Sequence, residues 1–431
     1  MTVAQAHRPQ AMQIMPLFLI LFFILTGCAT REDHEHDAAV LKFSFQSIQA
    51  ASRPIVGQNV TNVSVDDVFS QQRGYGFDLD TRPVSGDECV TSSKPFFFSV
   101  VLPEGNFNVK ATFGDGSSAT TNTVKAEMRR LVLEQVITKP GEFITREITV
   151  NIRTPAIRGG GQVRLKQREQ DDEIVNWDNK LTLEFNGSNP SLVALEVRPA
   201  HVPTLFLLGD STVCDQPAEP WNSWGQMLPR FFKPSIAVAN YASSGESIKS
   251  SLAAGRFDKV FSLMKSNDWL FVQFGHNDMK DKTTNALAVY ESNLRKIIVR
   301  TRKKGGTPVL ITSMERKAGV EKPTLARYPE IVRKVAKEEG VALIDLNKMS
   351  LTLYEALGTN INAVFQDSTH HNNYGSYELA RCVVVGIRKE LPELASYLAD
   401  IPIYDPAQPD SPDTFHMVAS PQRTDVKPEG N

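Results

Sequence analysis

The chain has 431 residues, 41% hydrophobic and 22% charged, the proportions of a globular protein with room for two domains. Its formal net charge of −2 supplies no basic surplus to neutralise phosphates, which argues against a nucleic-acid binder.

At the start, Arg8 precedes the apolar run Leu17 to Leu25, which ends in Thr26-Gly27-Cys28. That run is shorter than the ~20 apolar residues of a spanning helix, so residues 1–28 read as a signal peptide rather than an uncleaved anchor. Leu25-Thr26-Gly27-Cys28 resembles the bacterial lipobox, in which the cysteine is lipidated. The expectation is an exported chain tethered to the cell envelope, at the outer membrane or in the periplasm, through a lipid on Cys28. Residues 29–40, polar and charged, read as a flexible tether. Of Cys89, Cys214 and Cys382, the last two are compatible with one bridge in an exported protein. Buried free thiols are the favoured state for most of them. No Cys or His spacing suggests structural zinc.

From 41 to 199 the pattern has period two. Phe107, Val109, Ala111 and Phe113 alternate with polar residues, as do Ile148, Val150 and Ile152, then Leu181, Leu183 and Phe185, then Val193, Leu195 and Val197. Short alternating strands punctuated by Gly, Pro and Asn predict an antiparallel β-sandwich, which resembles a galactose-binding-like domain. Tyr75, Phe77 and Trp177 are candidate sugar platforms, although core packing is the commoner fate of an aromatic.

Past Pro199 the pattern changes. Strand-like runs at 205–208, 236–239, 269–274, 309–312 and 341–346 alternate with helices, one at about 285–304 stopped by Gly305-Gly306 and one at about 328–339 stopped by Gly340. Arg300 to Lys304 read as a solvated helix end that complements the dipole. This alternation predicts an α/β domain over 200–398, a parallel sheet with helices on both faces. Residues 399–431, rich in Pro, Asp and Ser, read as a disordered tail.

Four short stretches at the ends of these strands carry chemistry. Leu205 to Leu208 run into Gly209-Asp210-Ser211-Thr212, a sharp turn that leaves Ser211 at the strand's C-terminal end, where α/β folds place ligands. Gly245 follows the second strand and can bring a backbone N–H close to a ligand. Asn277, in Gly275-His276-Asn277-Asp278, offers a side-chain N–H after the third strand. In Asp367-Ser368-Thr369-His370, an Asp three residues before a His can orient the imidazole. Each stretch alone has a bland reading as a turn or a cap. Together they supply a nucleophile, a base, an orienting acid and oxyanion donors.

In these four blocks the sequence resembles the SGNH (GDSL-type) hydrolase superfamily, and within it the rhamnogalacturonan acetylesterase-like carbohydrate esterases, over about 204–388. Trp221 to Gln226 and Gln273-Phe274 add to the similarity. The resemblance implies a flavodoxin-like sheet, Ser211 as nucleophile, His370 as base and then acid, and Asp367 as its orienter. It implies an oxyanion hole from the N–H groups of Ser211 and Gly245 and the side chain of Asn277. It implies no cofactor and no metal, although His276, Asp278, His370 and His371 can be drawn as a ligand cluster. The expected activity is removal of acetyl groups from plant cell-wall polysaccharide, pectic rhamnogalacturonan first, through an acyl-serine intermediate. The alternatives are a lipase or acyl-esterase on other esters, and a non-catalytic carbohydrate-binding lipoprotein. One departure bears on the substrate: Glu246 stands where many members carry arginine, and would repel a galacturonate unless Lys249 or another cation compensates. His371, beside His370, is a competing base.

Overall fold

The computed structural model describes residues 1–2, 40–46 and 59–429. The apolar run at 17–25, Cys28 and the tether up to residue 39 lie outside the described residues. Among those described, no helix is long and apolar enough to cross a membrane.

The first half is a pair of five-stranded sheets with a small three-stranded sheet at one edge. One sheet runs Phe143–Ile152, Gly105–Gly114, Ala194–Pro199, Leu41–Ser44 and Val60–Asn62. The other runs Tyr75–Asp78, Phe96–Val101, Lys180–Asn186, Thr120–Ala126 and Arg130–Thr138. Pairings are antiparallel except Leu41–Ser44 with Val60–Asn62. Phe43, Phe77, Phe98, Phe113 and Phe185 interdigitate between the sheets. Phe77 is thus core, Tyr75 packs half-buried against Phe43, and Trp177 is buried against Tyr241 of the second half. Two of the three candidate sugar platforms, Phe77 and Trp177, are therefore closed off.

The chain changes architecture between Pro199 and Thr204. Five parallel strands follow: β1 (Thr204–Gly209), β2 (Ala237–Asn240), β3 (Trp269–Gln273), β4 (Thr307–Ile311) and β5 (Ala342–Ile344), in the spatial order 2-1-3-4-5. This is the flavodoxin-like order. Every residue of β1 is buried, which is why it reads as a continuous apolar run rather than an alternating one. Helices α1 (Ala286–Lys303), α2 (Tyr328–Glu339) and α3 (Asn373–Glu390) cover the faces. In α2, Ile331, Val332, Val335 and Ala336 form the buried stripe, and Gly340 ends it in the left-handed region at φ +59°. Separate apolar clusters lie on the two faces, one built on α3 and one on α1 and α2.

One expectation is met and one needs correction. Cys89, Cys214 and Cys382 are buried free thiols, so no bridge joins Cys214 to Cys382. The segment after Leu398 does not behave as a disordered tail through residue 429. It lies along the body as a strap, with Tyr404 and Ser420 buried. Lys125 Nζ donates to Ser420 Oγ at 2.7 Å, and Asn186 Nδ2 to the Ala419 carbonyl at 3.1 Å. Its order comes from these partners rather than from an apolar pattern of its own.

Candidate active site

The turn after β1 is set by close packing. A Cβ on Gly209 would lie 2.8 Å from the Gln273 carbonyl of β3, so only glycine lets the turn start there. Asp210, fully buried, then accepts from Thr212 N–H at 2.9 Å and Thr212 Oγ1 at 2.7 Å, and faces His276 Nδ1 at 3.2 Å. Burial pushes its pKa up, but His276 and the Thr212 bonds outweigh burial and hold the carboxyl below its usual range. Asp210 therefore fastens the turn to the loop after β3.

Ser211 Oγ lies 2.9 Å from His370 Nε2, and His370 Nδ1 lies 2.9 Å from Asp367 Oδ2. The other oxygen of Asp367 accepts the backbone N–H groups of Thr369 and His370, each at 2.7 Å. Burial pushes the Asp367 carboxyl up, yet the bonds from His370 and the two amides prevail and hold it at about 2. It is ionised at any working pH, as an orienting carboxylate must be. The loop is clamped from both ends: Gln366 N–H donates to the His370 carbonyl at 2.8 Å, and Asn372 caps α3 by accepting Gly375 N–H at 2.9 Å. Trp221 meets the His370 ring edge-on, with centroids 6.0 Å apart.

His371 is not a competing base. Its Nε2 bonds Tyr354 Oη at 2.9 Å, and its ring packs on Phe365. Burial first, then the neighbouring His370, push it down to about 3, so it stays neutral in the core. The suggested metal cluster also disperses, because His276 is spent on Asp210 and the Met314 carbonyl while His370 and His371 face different partners. No group of three or more His, Cys, Asp or Glu among the described residues is placed to hold a metal ion.

The two further candidate donors follow β2 and β3. Gly245 is at φ +75°, a left-handed conformation that turns the chain after β2. Asn277 spends one amide hydrogen on the Glu246 carbonyl at 3.1 Å, which fixes its rotamer and leaves the second hydrogen for an anion.

Glu246 does not face a substrate. Its carboxylate is buried, 3.5 Å from Lys166 Nζ and 3.6 Å from Arg256 Nε, and it accepts from Ser250 Oγ. Lys249, the expected compensator, instead points to Asp281 at 3.9 Å and is largely exposed.

Several supporting residues lie beyond the reach of the four blocks. Trp224 Nε1 donates to Gln273 Oε1 at 2.8 Å, and Gln273 Nε2 to Thr212 Oγ1 at 2.7 Å, tying a short helix (Trp224–Met227) to the nucleophile turn. Gln216 Nε2 donates to the Ser211 carbonyl at 2.6 Å. The sandwich grips the same segment: Arg130 Nε donates to Asp215 Oδ2 at 2.8 Å, Arg129 pairs with Glu219 at 2.7 Å, and the Met128 carbonyl accepts from Gln226 at 2.7 Å. A cavity of about 420 Å³ opens beside Trp221 and Gln216, walled by Arg168 and Asp172 of the first half and by the strap.

The Asp367–His370–Ser211 arrangement is an acid–base relay on a serine, the equipment for acyl transfer. Comparisons agree. A sequence model described as GDSL-like Lipase/Acylhydrolase family matches residues 207–376. Over 207 residues the chain is 33% identical to rhamnogalacturonan acetylesterase RhgT of Bacillus subtilis (strain 168), spanning 43% of this chain and 89% of that protein. It is 32% identical over 200 residues to the probable rhamnogalacturonan acetylesterase YesY of the same organism, spanning 43% and 92%. The uncharacterized esterase YxiM, also from that organism, is 26% identical over 355 residues, spanning 76% of this chain and 87% of the relative.

Proposed function

From a chain that belongs to the GDSL-like lipase/acylhydrolase family and is a carboxylic ester hydrolase, we propose an acetylesterase that removes acetyl groups from plant cell-wall polysaccharide, with pectic rhamnogalacturonan as the first candidate. The observation that carries the reading is the Asp367–His370–Ser211 relay, with both links at 2.9 Å. The names of two relatives supply the acetyl and rhamnogalacturonan parts.

In the proposed mechanism, Ser211 Oγ attacks the acetyl carbonyl as His370 Nε2 takes its proton. Charge on the tetrahedral oxygen falls to the N–H groups of Ser211 and Gly245 and to the second amide hydrogen of Asn277. His370 then returns the proton to the sugar oxygen as it leaves. Water, activated by the same imidazole, hydrolyses the acetyl-serine. Asp367 stays ionised and keeps Nδ1 protonated throughout.

The test is acetate release from acetylated pectins, xylans and small acetyl esters by the purified chain, with Ser211→Ala as the matched control. Absence of acetate from all of them overturns the proposal. A rate that rises from acetyl to long acyl esters would favour a lipase instead. We also propose export and a lipid anchor at Cys28, as the lipobox-like Leu25-Thr26-Gly27-Cys28 suggests. Palmitate labelling of the expressed protein that survives Cys28→Ala would refute that part.

A further inference from the structure

The strap ends on the oxyanion glycine. Its root is pinned: Ser420 donates from N–H to Glu219 Oε1 at 2.9 Å and from Oγ to Glu184 Oε2 at 2.7 Å. Thr424 N–H donates to the Glu219 carbonyl at 2.9 Å. Beyond Thr424 the hold is of another kind. Glu429 Oε2 accepts from Lys166 Nζ at 3.0 Å, and the two side chains are 49% and 28% exposed. A pair that open to water is a weak latch. Yet it lies on the site, because a Cβ on Gly245 would be 3.1 Å from Glu429 Oε2 and 3.2 Å from Lys166 Nζ. Lys166 Nζ also donates to the Ser244 carbonyl, which fixes the cation against the chain just before Gly245. With the strap in place, Ser211 and His370 are each only 1% exposed. The space over Gly245 is occupied by Glu429, so a sugar can pack there only when the tip lifts.

The adjoining cavity shares this charge character. Its lining carries Arg168, Arg423 and Lys427 against a single acid, Asp172, with Trp221 as the wall next to His370. Arg168, Asp172, Arg423 and Lys427 all fall outside the family-matched residues 207–376, so the shared chemistry and the surroundings of the ester come from different parts of the chain.

We propose that Lys166 is the carboxylate-binding residue of a substrate subsite and that Glu429 fills it in the resting chain. An acidic sugar next to the acetylated one exchanges its carboxylate for that of Glu429, so that Lys166, which also lies 3.5 Å from the buried Glu246 carboxylate, keeps a second carboxylate while the tip moves off Gly245. A neutral sugar must displace the tip with no such exchange. The inference rests on the esterase reading above and names its substrate class, acetylated oligosaccharides that carry a uronate beside the ester.

Two variants of the full chain test it. Glu429→Gln keeps the side chain's size and releases the latch. It should raise kcat/KM on acetylated xylo-oligosaccharide by up to about fivefold, the worth of an exposed pair. Lys166→Met should lower the ratio of kcat/KM on acetylated uronate-containing oligosaccharide to that on the neutral one by about tenfold, the loss of one charge-assisted bond. Calorimetry with trigalacturonate and with acetate separates a polymer carboxylate from the product acid. The expected result is trigalacturonate binding that Lys166→Met weakens about tenfold and Glu429→Gln strengthens. Binding of acetate alone, or an acidic-to-neutral ratio unchanged by Lys166→Met, overturns the subsite. Trigalacturonate binding that depends on Lys166 in a chain releasing no acetate supports the subsite and makes the esterase reading the one that fails.

Discussion

The grip of the sandwich on the nucleophile segment makes a quantitative claim. Asp215, four residues after Ser211, has a fully buried side chain. Arg130 Nε reaches it at 2.8 Å and Arg153 Nη2 at 3.6 Å, while Asn240 Nδ2 donates to its other oxygen at 2.9 Å. Burial, then the like charge of Arg130, push Arg153 down to about 10, and its side chain is only 2% exposed. Removing one partner of a buried pair costs about 3–5 kcal/mol. In Arg130→Met, Arg153 stays to face Asp215, so the loss should lie near the lower figure, about 3 kcal/mol. At roughly 1–2 °C per kcal/mol for a chain of this size, the melting temperature falls by about 3–6 °C. Asp215→Asn should lose at least as much, since it strands two buried guanidinium groups. The double variant should recover part of both losses, with a coupling energy of about 1.5–3 kcal/mol. Urea titrations of the four proteins in the cycle measure it. Losses that add to within about 0.5 kcal/mol would mean the pair is incidental, and the sandwich would then be a passenger.

Three further outcomes follow from the site. Asn277→Ala should lower kcat by about 10²–10³ with KM little changed, because the donor matters to the oxyanion rather than to the bound ester; a change confined to KM would count against its place in the hole. Asp367→Asn should lower kcat by about 10⁴ through loss of the correct imidazole tautomer, read with 4-nitrophenyl acetate at saturating concentration. The third outcome concerns pH. Burial above all, with Asp210 adding to it and the Ile248 N–H opposing it, pushes the Asp278 carboxyl up from 3.8 to about 7. A raised acid means the folded chain keeps a proton that the unfolded chain releases, so this group's destabilisation grows from about pH 4 to 7 and is constant above. Asp278→Asn should therefore stabilise the protein at pH 8, by up to about 4 kcal/mol, and leave it unchanged at pH 4; equal melting shifts at both values would refute this. Asp367, held at about 2, acts in the opposite sense, its stabilisation present above pH 4 and lost as pH falls towards 2.

What could be read from the sequence, and what could not, divides along the range of the interactions. Ser211, Gly245, Asn277 and the Asp367–His370 pair were legible because each lies just past a strand or before a helix whose pattern is local. Parallel strands buried on both faces leave apolar runs, and α/β folds gather chemistry at their ends. Phe96–Val101 was not legible as a strand, since both its faces are buried and no alternation marks it. Arg130–Thr138 opens on a buried arginine that a sequence reader assigns to solvent. Lys125, Arg129, Arg130 and Arg153 all look like surface charge, and their acids stand dozens of residues away in the chain. Glu246 misled for the same reason: its cations, Lys166 and Arg256, come from elsewhere, while nearby Lys249 turns away. The strap lacks an apolar pattern because it is ordered by hydrogen bonds to Glu184, Glu219 and Lys125. The reacting groups thus sit on local signals, and the parts that aim and cover them are joined by long-range charge pairing. If that division governs the site, substitutions in the sandwich and the strap should alter which ester is taken and how stably the turn is held, while those in the four short blocks abolish turnover.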